Sequence, residues 1–208
     1  MSQTRLRKVD LIYAGINGSI FGILLPVVLR SFNAPIRLPY LFSVIFFACL
    51  AVFGVYVGYL LGRFKTFFFQ LAKFGATGAA NFAIDIGILS LLVILFFPEN
   101  AIIPPTYYAL FKSISFILAT TNSYVWNKYW SFLDKDKKDT WKEFGRFVLV
   151  SLTGLLLNTT VATLVNSLYG LLHLSIDVKA WATVSAMVAA VTVLTWNFVG
   201  YKFLVFKK

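Results

Sequence analysis

The chain has 208 residues, 59% of them hydrophobic and 13% charged, and its mean hydropathy of +0.80 lies outside the range of a soluble domain of this length. Apolar runs of membrane length end in Lys, Arg, Pro and aromatic clusters and do not alternate over short segments, which excludes a transmembrane β-barrel and predicts an all-α integral membrane protein. The single cysteine, Cys49, and single histidine, His173, exclude an intrachain disulfide and a Cys or His metal cluster, so neither metal nor cofactor is expected.

In chain order, residues 1–10 are short and basic, and Leu11–Leu29 follows as a first span. Its length crosses a bilayer, and Arg30, Asn33, Pro35 and Arg37 after it offer no small-residue cleavage site, so it is read as a span and not a signal peptide. Span 2, Leu38–Leu61, carries Gly54 and Gly58, with Gly62 just after it, at four-residue spacing, and span 1 carries Gly18 and Gly22. Such faces let backbones approach closely, either within the hairpin or between copies in a homo-oligomer. Span 3, Phe67–Phe97, is longer than a membrane requires and starts with Phe67, Phe68 and Phe69 at headgroup level. An outer loop, Pro98–Pro105, ends in two prolines that block helix continuation, and Tyr107 and Tyr108 fit an aromatic belt.

Span 4, Thr106–Trp130, places Lys112, Ser115, Asn122 and Trp126 close to one helical stripe. Lys112 lies near the outer surface, where snorkelling and a functional role are both open. The loop Asp134–Lys142 contains Asp134-x-Asp136, a pattern that holds a metal and nucleotide sugar only inside a soluble nucleotide-binding domain, which is lacking here. Span 5, Phe144–Tyr169, is preceded by Glu143, three residues from Arg146 and able to pair with it. Span 6, Val178–Phe203, is interrupted by Lys179, Thr192, Trp196 and Asn197, and His173 is expected on an outer turn.

The formal charge of +11 raises nucleic acid as a partner, but the placement of the cations argues for membrane topology instead. With Met1 cytoplasmic and six spans, 15 of the 19 Lys and Arg residues fall on the inner side and only Arg30, Arg37, Lys112 and Lys179 on the outer. This positive-inside pattern predicts both termini in the cytoplasm, and basic loops beside anionic lipid headgroups need no nucleic acid.

One stretch, Lys73–Asp85, puts a cation, small residues, an amide and a carboxylate inside a span. Gly78, Asn81 and Asp85 share a helical face, and Asp85 lies roughly 18 Å beyond Lys73, near mid-bilayer. A carboxylate there costs about 2.5–3.5 kcal/mol on insertion scales, so it should face protein or water and not lipid. A shift of 73 residues takes Lys73-Phe74 onto Arg146-Phe147, Gly78 onto Ser151, Asn81 onto Gly154 and Asp85 onto Asn158. A shift of 74 takes Asn127–Phe132 onto Tyr201–Phe206. The last four spans therefore read as two parallel two-helix repeats, with Asp85 and Asn158 at similar depth.

These motifs resemble the GtrA-like family of four-span membrane proteins. The resemblance rests on the basic-Phe opening Lys73-Phe74 with its mid-helix polar position, the ending NSYVWNKYWSF, the second opening GRFVLVSLTGLLLN and the final WNFVGYKFLVF. The family's closing pattern carries an Asn before the last basic residue, where this chain has Tyr201. Residues 66–208 would form the GtrA-like four-helix domain, and residues 1–65 a two-helix extension on which the resemblance is silent.

The resemblance implies a non-enzymatic function: flipping of a polyprenyl-phosphate-linked monosaccharide across the cytoplasmic membrane for cell-surface polysaccharide synthesis, in partnership with a polyprenyl-phosphate glycosyltransferase. It implies entry cations at Lys73, Arg146 and Lys128, a polar groove along Asn81, Asp85, Asn122 and Asn158, and exit cations at Lys112 and Lys179. Asn127, Asn197 and Lys202 stand in the motifs that close the two repeats. Two other readings remain open from the residues: a membrane anchor subunit for a glycosyltransferase, and a small exporter of cations with Asp85 as the binding carboxylate.

Overall fold

The computed structural model describes residues 5–31, 35, 37–98, 103–133, 140–171 and 178–206, without the side chains at 170, 171, 178–180, 182 and 183. Among these residues there are six α-helices: α1 (Lys8–Ser31), α2 (Tyr40–Gly62), α3 (Thr66–Phe96), α4 (Pro105–Trp126), α5 (Thr140–Leu171) and α6 (Val178–Gly200). Among the described residues there is no strand. Asp134-x-Asp136 and His173 lie outside the described residues.

The helix bounds follow from local chemistry. Pro105 takes the first position of α4, where its missing N–H would have no acceptor in any case. The ends of α4 and α6 do not simply stop. Each continues into a π-helical turn, Asn127–Ser131 and Tyr201–Val205, closed by Phe132 N–H on the Asn127 carbonyl (2.9 Å) and by Phe206 N–H on the Tyr201 carbonyl (2.8 Å). Among the described residues five helical stretches are long and apolar enough to cross a membrane: α1, α2, α3, residues Thr140–Tyr169 of α5, and Val184–Val205, which joins α6 to its π turn. The sixth helix, α4, has 22 residues, but Lys112, Ser113, Ser115, Thr120, Thr121, Asn122 and Ser123 dilute its apolar character.

The chain divides into two compact units, residues 1–133 and 134–208. In the first, α1, α2 and α3 pack on one another and α4 packs on α3. Glycine makes the closest of these approaches feasible. A Cβ on Gly22 would come within 2.6 Å of the Ser43 carbonyl oxygen, and one on Gly18 would collide with the Phe47 carbonyl. These two glycines therefore serve α1–α2 packing, and Gly58 seats Ala72 of α3, whereas Gly54 borders open space. Ala14, Val55, Phe69 and Trp130 form a buried cluster, with Tyr13 edge-on to Trp126 (5.1 Å between ring centroids) and to Trp130 (6.1 Å).

In the second unit α5 packs on α6. Phe147 stacks on Tyr201 with centroids 4.2 Å apart, and the Trp181 indole N–H donates to the Val165 carbonyl (3.0 Å). Both units leave large apolar side chains outside, among them Leu41, Phe53, Phe82, Ile117, Leu156 and Val191. Exposure on that scale suits hydrocarbon and not water.

Candidate functional site

Lys73 is not an open surface cation. It is buried, and its ammonium donates to Asp10 Oδ1 at 2.6 Å. Asp10, the only acidic residue before Asp85 in the sequence, is itself fully buried in the first turn of α1. Its carboxylate accepts five hydrogen bonds: from Lys73 Nζ, from Trp130 Nε1 (3.1 Å), and from the Arg7 backbone N–H (2.9 Å), Nε (3.2 Å) and Nη2 (3.1 Å). The Lys73 ammonium also sits 4.0 Å from the Phe69 ring centroid, a favourable cation–π contact in a desolvated place. The basic N-terminal segment thus contributes a counter-ion as well as positive charge. The signal was present in the sequence, because with so few acids a buried cation near one chain end has few candidate partners.

Asp85 does face protein. Lys112 Nζ donates to its Oδ2 at 2.5 Å and Ser115 Oγ to its Oδ1 at 2.8 Å, both from α4. Lys112, expected near the outer surface, is thereby drawn inward along α4, yet its side chain stays 40% exposed and that of Asp85 26%.

Among the described residues, α3 and α4 with its π turn also carry buried polar atoms that have no hydrogen-bond partner. On α3, Thr77, Asn81 and Asp85 recur every four residues and share a face, and Thr77 Oγ1 and Asn81 Oδ1 are buried with no hydrogen bond. On α4 and its π turn, Asn122 Nδ2, Asn127 Oδ1 and Ser131 Oγ are in the same condition. Each amide is half satisfied: Asn122 Oδ1 accepts from Trp126 Nε1 (3.1 Å), and Asn127 Nδ2 donates to Ser123 Oγ (3.2 Å). Buried polar atoms in native proteins nearly always have partners, so several such atoms along one pair of packed helices mark a place for water or ligand hydroxyls. Lys128, fully buried, donates to the Tyr124 hydroxyl (3.3 Å) and lies over the Tyr124 ring, so it too is held by protein.

In the second unit Arg146 is exposed and Asn158 half-buried. Asn197 pushes its Oδ1 to 2.5 Å from where a Cβ on Gly154 would stand, and that oxygen has no hydrogen-bond partner. Gly154 is thus the small residue that admits the Asn197 amide. Trp196, which the sequence marked only as an interruption, donates to Thr153 Oγ1 (3.1 Å). Tyr201 shares a hydrogen bond with Ser151 Oγ (2.7 Å), so its hydroxyl ties the π turn to α5. Lys202 lies over the Phe198 and Phe203 rings. Lys179 stands in the first turn of α6, and its side chain lies outside the described residues.

The fold and these sites define a multi-pass helical membrane protein with a polar seam inside an apolar helix pair. Residues 73–206 match the model of the GtrA/DPMS transmembrane domain. Because that match covers more than half of the chain, the protein belongs to the GtrA/DPMS transmembrane-domain family. No curated protein and no solved structure matches the chain. The matched region begins at Lys73, the cation that Asp10 holds.

Proposed function

We propose that the protein moves a polyprenyl-phosphate-linked monosaccharide between the leaflets of the cytoplasmic membrane, supplying sugar for cell-surface polysaccharide. The observation that carries this reading is the line of unpartnered polar atoms on Thr77, Asn81, Asn122, Asn127 and Ser131, ending at Asp85, Lys112 and Ser115. A sugar headgroup needs hydrogen-bond partners through the hydrocarbon layer, and its lipid tail does not. A seam of half-satisfied amides and hydroxyls exchanges bonds with water or sugar at little net change. No covalent step is required of the protein.

In this reading α4 is the sixth span. Its Lys112 and Ser115 are bonded to Asp85 on the 31-residue apolar helix α3, and a helix held there travels through the membrane with its neighbour. The two helix pairs are copies of one unit. Each ends in a π turn and each seats its opening Phe near its closing Phe, Phe74 to Phe132 and Phe147 to Phe206, both at 6.2 Å between centroids. The distribution of basic residues supports both termini in the cytoplasm, with residues 1–65 as an added two-helix extension and a polyprenyl-phosphate glycosyltransferase supplying the loaded lipid. The exporter reading loses its main support, because Asp85 is already bonded to Lys112 and Ser115 and offers no lone carboxylate to a cation.

The test is a leaflet-resolved assay with purified protein in proteoliposomes, using a short-chain polyprenyl-phosphate glucose that a membrane-impermeant oxidant destroys on the outer face. Protein alone is expected to raise the exchange rate at least tenfold over protein-free vesicles. Exchange at the protein-free rate would leave the anchor-subunit reading in its place.

A further inference from the structure

The cluster at the start of α1 has the form of an oxyanion site with an anion already in it. N–H donors of Arg7, Lys73 and Trp130 converge on both oxygens of the Asp10 carboxylate. Asp10, Lys73 and Trp130 are buried, while the Arg7 side chain is 47% exposed and forms the open side. Two cations share one acid, so the cluster keeps a net positive charge after internal pairing.

We propose that these donors form a binding site for a phosphate headgroup, which the Asp10 side chain fills at rest and which the headgroup takes by displacing it. A phosphate offers an edge of two oxygens like that of a carboxylate, and Arg and Lys bind both ions through the same charge-assisted bonds. Displacement is asymmetric in what it disturbs. Asp10 stands on the first turn of α1, where a helix end opens more readily than its interior, whereas Lys73 lies within α3 and Trp130 within a packed π turn. Leaving without replacement would strand a buried ammonium, but exchange of one anion for another keeps it paired. Asp10 lies outside residues 73–206 of the family match, so the N-terminal extension controls how readily the first cation of the matched region is offered. The inference rests on the proposed function for the lipid that carries the phosphate, though not for the site itself.

The experiment uses the full-length protein in a neutral detergent, with dodecyl phosphate, inorganic phosphate and dodecyl glucoside as probes. Asp10→Asn keeps volume and removes the resident charge. Dodecyl phosphate should bind this variant at least tenfold more tightly than the parent and raise its melting temperature more. Asp10→Asn/Lys73→Gln should lose that gain, and dodecyl glucoside should bind all variants alike. Arg7→Gln leaves the Asp10–Lys73 pair in place and should weaken dodecyl phosphate at least fivefold in the parent background, which supplies a test even if Asp10→Asn does not fold. A folded Asp10→Asn that binds dodecyl phosphate no more tightly than the parent overturns the inference, as does an unaffected Arg7→Gln. An equal gain for inorganic phosphate overturns the headgroup assignment in favour of free phosphate. Exchange of lipid by the parent with no change in Asp10→Asn binding defeats this inference alone. Tighter binding without any exchange by the parent defeats the flipping reading alone.

Discussion

Asp10→Leu is expected to lower stability by about 3–5 kcal/mol, and Asp10→Leu/Lys73→Met to recover most of that loss. The single change leaves the Lys73 ammonium in a place only 3% exposed without its carboxylate, and the Trp130 indole N–H without its acceptor. The double change removes the stranded charge and fills both positions with apolar groups of similar length. Arg7 does not spoil the comparison, because its half-exposed side chain can turn outward. Unfolding curves in detergent for the parent, both single variants and the double variant give the coupling between the two positions. A double variant no more stable than Asp10→Leu would show that the ion pair is not what joins α1 to α3.

Asp85→Leu is expected to lower lipid exchange at least tenfold with little change in stability, and Asp85→Asn only severalfold. Stability changes little because, in a hydrated seam, the part-exposed side of the Asp85–Lys112 pair meets water, and water-exposed pairs contribute about 0–1 kcal/mol. Exchange changes greatly because the carboxylate holds Lys112 and Ser115 to α3 and keeps a hydratable group at the end of the polar seam. Asn keeps the shape and part of the hydrogen bonding, whereas Leu dries the position. Initial exchange rates in proteoliposomes, with folding checked by size-exclusion behaviour, decide this. A well-folded Asp85→Leu that works at the parent rate would make the carboxylate a packing residue.

Much of the architecture was legible because apolar length and its interruptions are local properties. The expected spans begin and end within a few residues of α1 to α6, and Pro104-Pro105 marked the start of α4 correctly. What one-dimensional reading could not supply was pairing across helices. Lys73 read as an entry cation because nothing in its own helix neutralises it, and its partner lies 63 residues earlier, on α1. Lys112 had two open readings, and neither included the bond it makes to Asp85 on α3. The glycines of α1 and α2 likewise permitted hairpin packing or self-association. Gly18 and Gly22 lie against α2 and Gly58 against α3, and Gly54 stands beside open space. The π turns were invisible because their sequences, NKYWS and YKFLV, carry no breaker that separates them from an ordinary helix end.

The claim on which the functional reading depends is that the α3–α4 seam holds water while the outer face of α3 that carries Phe82 meets lipid. Asn81 and Phe82 are adjacent in sequence and so lie at nearly the same depth, but Asn81 is on the seam and Phe82 is 61% exposed on the apolar surface. The measurement is the rate at which a charged, membrane-impermeant thiol reagent labels Asn81→Cys and Phe82→Cys in reconstituted protein whose native Cys49 has been replaced by Ser. Asn81→Cys should react at least tenfold faster than Phe82→Cys. Equal rates, or a faster reaction at Phe82→Cys, would contradict a hydrated seam and with it the path proposed for the sugar.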